Sequence, residues 1–360
     1  MAAGFNLIGY ATSPTGLGED LRAFAAMLDH LAIPYSVTDV PTEIRGQVRQ
    51  AWKHLTVADY ETSFFFMSPM ECLRLHEAQP DLFSRPRLKV GYFLWELPDF
   101  PDAFDPALDL VDHIWCPTRF VQSALFKKTK KLTMAIPLPV IKAARGGRDF
   151  RELLGIPRSA FVALYMYDVR STNQRKNPEG TVNAFLAFAE RHPDAWLVLK
   201  INRWQQADKK PLSWLPANPR IRIVSDTLDH AGLSDLYAAA DVYLSLHRSE
   251  GFGRTLVEAM QHGLSLICTD FSGPADYLTP ANAYLVDWRK RAVAKGDYPY
   301  TEGSWWSEPS LLSAVARLEE AWSAKATHSH KQPEMTGQQF TVAGLAERYR
   351  KILNTYLIPG

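Results

Sequence analysis

Short apolar runs rich in β-branched and aromatic residues alternate along the chain with stretches whose apolar residues recur at helical spacing. The runs predict strands at 5–10, 35–39, 62–67, 89–94 and 112–116, then at 161–167, 196–201, 221–225 and 240–246. Leu21, Phe24, Ala25, Leu28 and Leu31 mark the buried stripe of a first helix, and further helices are predicted over 119–131, 179–191, 233–240 and 341–356. Such alternation argues for parallel sheets covered on both faces, where ligands gather beyond the carboxyl ends of the strands. Pro137, Pro139 and Gly146-Gly147 interrupt the pattern and put a linker between Pro137 and Phe150. An α/β chain of two domains is expected, 1–142 and 143–335, followed by a last helix in 336–360.

One unit carries more than packing. Ala240–Leu246 reads as a strand, Gly251 and Gly253 loosen the backbone, and Leu256, Val257, Met260 and Leu264 return at helical spacing, with Gly263 suited to end the helix. A strand, a glycine turn and a helix leave the first helical amides aimed at an anion, with the helix dipole adding to the attraction. Glu250 precedes the helix, and Glu258 in its second turn leans back toward its start because helical Cα–Cβ bonds tilt that way. Singly, each Glu reads as a solvated acid. As a pair around Gly251-Phe252-Gly253 they make an anion site between two acceptors of hydroxyl hydrogen bonds, a pattern that fits a nucleoside diphosphate sugar. A second cluster, Arg170, Arg175 and Lys176, lies between a strand end and a helix start, where a diphosphate would rest.

Glu250-Gly-Phe-Gly, a second Glu after seven intervening residues, then Ala-Met and a Gly resemble the signature of retaining glycosyltransferases of the GT-B fold, the large family that includes sucrose synthases and bacterial mannosyltransferases. Leu266–Tyr277 is similar to the strand and glycine turn that follow the signature in that family. The resemblance implies two Rossmann-like domains with parallel sheets facing across a cleft, the first on the acceptor side, the second holding the donor, and the last helix crossing back to the first. It implies transfer of a sugar from a nucleotide diphosphate sugar to a hydroxyl of a glycan or lipid-linked acceptor, with retention at the anomeric carbon, in bacterial surface polysaccharide or glycoconjugate synthesis. In that scheme Glu250 holds hydroxyls of the donor sugar and Glu258 those of the ribose, while Lys176, an Arg beside it (Arg170 or Arg175) and the turn Gly251, Phe252, Gly253, Arg254 and Thr255 take the charge of the leaving diphosphate. Gly16 and Gly18 would approach the donor diphosphate or the acceptor from the first domain, and Asp226 would touch the base. Two departures stand out. Where many members carry a His, this chain has Trp95-Glu96, so that Glu96 is read either as orienting or deprotonating the acceptor or as capping nearby backbone. Where they carry Gly-Arg after a strand, it has Tyr167-Asp168.

The 360 residues suffice for two cores, and 40 basic against 39 acidic residues, net +1, give no ground for a nucleic-acid partner. Cys72, Cys116 and Cys268 are scattered, which disfavours a zinc cluster or disulfide scaffold and fits a reducing compartment. With no leader pattern and no run of about 18 apolar residues, a soluble cytoplasmic protein is expected. Lys127, Lys128, Lys130 and Lys131 read first as favourable charges at a helix carboxyl end, and second as a peripheral contact with an acidic membrane. No cofactor is expected beyond the donor substrate, and no metal, since nothing has the spacing of divalent-ion ligands such as a tight Asp-x-Asp. Three rivals remain. A nicotinamide dehydrogenase rests on Gly16 and Gly18 with Asp39, but the third fingerprint glycine falls at Leu21. A glycoside hydrolase would use two carboxylates without a phosphate turn. A silent sugar-nucleotide or glycan-binding protein would keep the site without turnover.

Overall fold

The structure, a computed structural model, describes residues 4–13, 15–40, 60–169, 171–202, 214–300, 303–327, 329, 331 and 333–357. It separates into two units, Met1–Ile141 with Gln339–Gly360, and Lys142–Gln338. Among the described residues no helix is long and apolar enough to cross a membrane.

The first unit is a parallel sheet of β1 (Phe5–Gly9), β2 (Tyr35–Asp39), β3 (Thr62–Phe66), β4 (Leu88–Tyr92), β5 (His113–Cys116) and β6 (Thr133–Ala135), in the order β2-β1-β3-β4-β5-β6. Thr62-Ser-Phe-Phe-Phe66 is buried throughout, the continuous burial of a strand covered on both faces. The helix Gly16–His30 lays Leu21, Phe24 and Leu28 on this sheet. The helix Val342–Tyr356 adds Leu345, Tyr349 and Leu353 to the same core, with the Tyr349 ring 5.9 Å from Phe24 and 6.3 Å from Trp115.

Two expectations change in this unit. The helix expected over 119–131 stops at Phe126, because the lysines beyond it turn back onto neighbouring acids and carbonyls. Lys127 pairs with Asp99 at 3.0 Å, Lys128 with Asp102, and Lys131 donates to the carbonyls of Leu108 (2.8 Å) and Val111 (2.7 Å). Lys127 does cap the carboxyl end of that helix, and the three lysines, each with acid or carbonyl partners, are not a free basic patch. β6, only three residues long, had no sequence signal.

In the second unit β7 (Phe161–Asp168), β8 (Ala195–Asn202), β9 (Ile221–Val224), β10 (Val242–Ser245), β11 (Ser265–Thr269) and β12 (Tyr284–Val286) form a parallel sheet in the order β12-β11-β10-β7-β8-β9. The chain builds outward from β7 to β9 and returns to the other side of β7 with β10, so the order reverses between β7 and β10. A separate antiparallel pair follows, β13 (Trp288–Ala292) and β14 (Trp305–Pro309), where the hydrophobic pattern predicts no strand. The helix Leu311–Ala326 then packs on the helix Pro178–Ala189. The helix ends within a polar run, 325–334, and in that run Lys331 donates to the carbonyls of Pro280 (2.6 Å) and Ala283 (2.7 Å).

Candidate active site

A crevice opens beyond a parallel sheet where two adjacent strands send their chains to opposite sides, and here those strands are β7 and β10. The turn after β7 ends in a short helix, Asn173–Lys176, and Asn177 then takes a left-handed conformation (φ 55°). Its side chain fixes both neighbours: the amide oxygen caps the next helix by accepting from the Gly180 N–H (3.2 Å), and the amide nitrogen donates to the Leu246 carbonyl at the end of β10 (2.8 Å). The turn after β10 is stitched to the first one. The Arg248 N–H donates to the Arg175 carbonyl (2.7 Å), Arg175 Nη1 donates to the Ser249 carbonyl (2.9 Å), and the Tyr165 hydroxyl donates to the Lys176 carbonyl (2.5 Å).

This stitching brings together residues 74 positions apart. Arg175 Nη1 lies 3.1 Å from Glu250 Oε2, and Lys176 Nζ is bonded to Glu250 Oε1. The side chains of Arg175 and Glu250 are 6% and 11% exposed, that of Lys176 20%, so the pairs are screened far less than surface ion pairs. Burial alone would raise the Glu250 pKa, but Lys176 and Arg175 outweigh it and hold the carboxyl at about 2. Beside it stands His247, a residue the sequence reading passed over. Burial takes its pKa down to about 4, although Glu250 pulls the other way.

Both shifts make the second unit sensitive to acid. Each group has a lower pKa in the fold than the ordinary 4.5 of glutamate or 6.5 of histidine. The unfolded chain therefore binds more protons, and stability falls with pH in the window between the two values. The His247 contribution is complete above pH 6.5 and is lost as the pH falls through 4, and the Glu250 contribution is complete above 4.5 and is lost as the pH falls through 2. Calorimetric melting between about pH 7 and pH 3 is expected to show the decline, and His247→Gln to flatten its upper part while leaving the lower part in place.

The glycine turn is held by its neighbours. Gly253 is left-handed (φ 83°), and the helix Arg254–Gln261 starts from it with no side-chain cap. The Tyr277 hydroxyl donates to the Phe252 carbonyl (2.6 Å). Ser272 sits at φ 67°, strained for a residue with a side chain, and is kept there by what it does: its hydroxyl accepts the Glu250 N–H at 2.8 Å. Gly273 follows, and a Cβ there would come within 2.1 Å of the Gly251 carbonyl oxygen. Farther along the helix the Glu258 carboxylate accepts the Tyr237 hydroxyl at 2.7 Å.

Gly16, Gly18 and Glu96 belong to the first unit. Gly18 is required by space, since a Cβ would meet the Ser13 carbonyl oxygen at 2.3 Å. Asp39 holds Thr12, accepting its N–H (3.1 Å) and its hydroxyl (2.7 Å). Arg170 lies outside the described residues. Asp226 is beside Lys200, a fully buried lysine that donates to Asn202 Oδ1 (2.6 Å) and whose pKa burial lowers to about 8 against the pull of Asp226 and Asp168. Lys200 and His247 were missed, although both stand at or just beyond a strand's carboxyl end, the position that carries ligands in such sheets. Among the described residues no three His, Cys, Asp or Glu side chains gather as a metal site.

Residues 163–295, which span this site, match the family model for glycosyl transferases group 1. A relative in Streptococcus pneumoniae, the GtfA subunit of UDP-N-acetylglucosamine–peptide N-acetylglucosaminyltransferase, is 40% identical over 146 residues. That match covers 34% of this chain and 29% of the relative, so the chain spans less than a third of that protein. Two solved structures share the fold over nearly the whole chain. The crystal structure of Anabaena HepE in complex with UDP and glucose is 16% identical with a TM-score of 0.65, covering 98% of this chain and 100% of that one. Sucrose-phosphate synthase from Thermosynechococcus elongatus is 14% identical with a TM-score of 0.68, covering 98% and 99%. The two parallel six-stranded sheets are thus those of the GT-B fold that the resemblance implied.

Proposed function

We propose that the protein is a glycosyltransferase that moves a sugar from a UDP-sugar to a hydroxyl acceptor, with retention at the anomeric carbon and without a metal ion. The observation that carries the reading is the meeting of Arg175 and Lys176 with Glu250 at the point where the strand order reverses, beside an uncapped helix start. The choice of UDP is supported by the UDP bound to HepE and by the donor in the name of the pneumococcal relative. Retention rests on the two spaced glutamates.

The chemistry follows from where charge develops. Breaking the bond from the sugar to the diphosphate builds negative charge on the leaving group and positive charge on the ring. Lys176, Arg175 and the amides of the turn at Phe252–Thr255 stabilise the first, with dipoles already oriented and little water to rearrange. Glu250 holds hydroxyls of the sugar and offsets the charge on the ring, and Glu258 takes the ribose hydroxyls.

Calorimetry with UDP, together with a UDP-release assay over UDP-glucose, UDP-N-acetylglucosamine and UDP-galactose in the presence of a chelator, tests the reading. Expected are UDP binding and chelator-resistant release with at least one donor, and an α-linked product by NMR from an α-linked donor. Binding without release in any acceptor mixture would leave a silent sugar-nucleotide protein, and release of sugar from glycans without nucleotide would leave a hydrolase.

A further inference from the structure

The β13–β14 hairpin has no part in the scheme above. Its register, Trp288 opposite Pro309, Lys290 opposite Ser307 and Ala292 opposite Trp305, puts Trp288, Lys290 and Trp305 on one face and Trp306 with Glu308 on the other. The second face anchors it. Trp306 is fully buried, and Glu308 pairs with Arg248 at 2.9 Å and also with Arg291. The first face keeps Trp288 and Trp305 partly in solvent, nearly parallel at 21° with centroids 6.3 Å apart, over a floor made by Phe271, which lies 4.6 Å from one ring and 5.4 Å from the other. The Trp288 indole N–H donates to the Asp270 carbonyl and fixes the orientation of its ring.

We propose that Trp288 and Trp305 form a carbohydrate subsite that stacks a pyranose ring of the acceptor glycan. The proposal rests on the glycosyl-transfer reading and gives its acceptor side a place on the second unit. A pyranose has an apolar C–H face and a rim of hydroxyls, so its site needs a flat aromatic surface with both donors and acceptors at the edge. The exposed ammonium of Lys290 lies 4.5 Å from the Trp305 ring centroid, so that ring already receives a polar group on its face, through a contact weak enough to be displaced. The exposed carboxylates of Asp270 and Asp287 adjoin Phe271 and Trp288 in the chain, and burial together with Asp287 raises the Asp270 pKa.

The subsite is continuous with the glutamate site. Phe271, its floor, precedes Ser272, whose hydroxyl holds the Glu250 N–H. From β14 the Ser307 N–H (3.1 Å) and hydroxyl (2.7 Å) both donate to the Arg248 carbonyl. A sugar stacked here therefore lies against the same loops that fix Glu250.

The test uses the full chain as wild type, Trp305→Ala, Trp288→Ala and the ring-preserving Trp305→Phe. Each is screened on an array of neutral and acidic oligosaccharides and titrated by calorimetry with the strongest array ligand, with a serine- and threonine-rich peptide and with UDP. The expected result is oligosaccharide binding that weakens at least about tenfold in either alanine variant and is kept within about threefold in Trp305→Phe, as for an aromatic anchor of an interface, while UDP affinity is unchanged in all. No array ligand, undiminished binding in Trp305→Ala, or a Trp-dependent peptide in place of any glycan overturns the subsite. Failure of UDP alone overturns the donor reading and leaves the subsite standing if oligosaccharide binding still depends on Trp305.

Discussion

Glu250→Gln is expected to lower transfer by roughly ten- to hundredfold while UDP binds as tightly as before or tighter. The reason is that Glu250 faces two cations that also serve the diphosphate. Without a ligand its carboxylate neutralises Arg175 and Lys176, and removing the charge leaves both in a poorly solvated site. Losing one partner of a buried pair typically costs about 3–5 kcal/mol of stability. For a unit of this size that is a fall in Tm on the order of 10 °C. UDP resupplies the missing negative charge, so ligand-induced stabilisation should be larger in the variant than in the wild type. The loss in rate reflects a charge-assisted contact worth about 1.5–3 kcal/mol, felt as the ring becomes positive. Melting with and without UDP, beside single-turnover rates, separates the two effects. Equal melting of the free proteins and wild-type rates would remove Glu250 from both roles.

Lys176→Ala should give the opposite pattern. Its side chain is the more exposed of the two cations, and Glu250 keeps Arg175 when it is gone, so stability should fall by less than in Glu250→Gln. UDP affinity and transfer should both fall, the rate by roughly ten- to hundredfold, since the ammonium would face a diphosphate that gains charge in the transition state. Arg175 is a poorer probe because its guanidinium also holds the Ser249 carbonyl, and its loss would disturb the loop itself. Isothermal titration with UDP and initial rates on one donor decide the matter, and an unchanged UDP affinity would take Lys176 off the diphosphate.

What the sequence made legible here follows the strength of its physical signals. The strands that read clearly are those buried on both faces, such as Thr62–Phe66 and Phe161–Asp168, where a continuous apolar run has no other use. Glu250, Lys176 and the glycine turn could be found because each sits at the carboxyl end of such a strand. The β13–β14 hairpin could not, because Trp288-Arg-Lys-Arg-Ala292 has charges where a core strand would have aliphatic residues, and its partner arrives only at Trp305. The lysine run misled in the other direction. Lys128 and Lys131 continue a plausible helix in isolation, but the helix is capped at Lys127 and acids and carbonyls of residues 102–111 take the later lysines, partners that are set by tertiary structure. Whether Arg170 or Arg175 supplies the second cation was open in the sequence; Arg175 lies against Glu250, and Arg170 is outside the described residues.

The interleaving of the two units in the chain has a consequence for synthesis. Leu345, Tyr349 and Leu353 complete the core around Phe24 and Trp115, yet the whole of Lys142–Gln338 is translated before them. At about 5–20 residues per second, some 10–40 s pass between the emergence of residue 141 and the arrival of that helix. For that interval the nascent first unit presents an uncovered aromatic seam, a natural binding place for chaperones, while the later unit already has all it needs to fold.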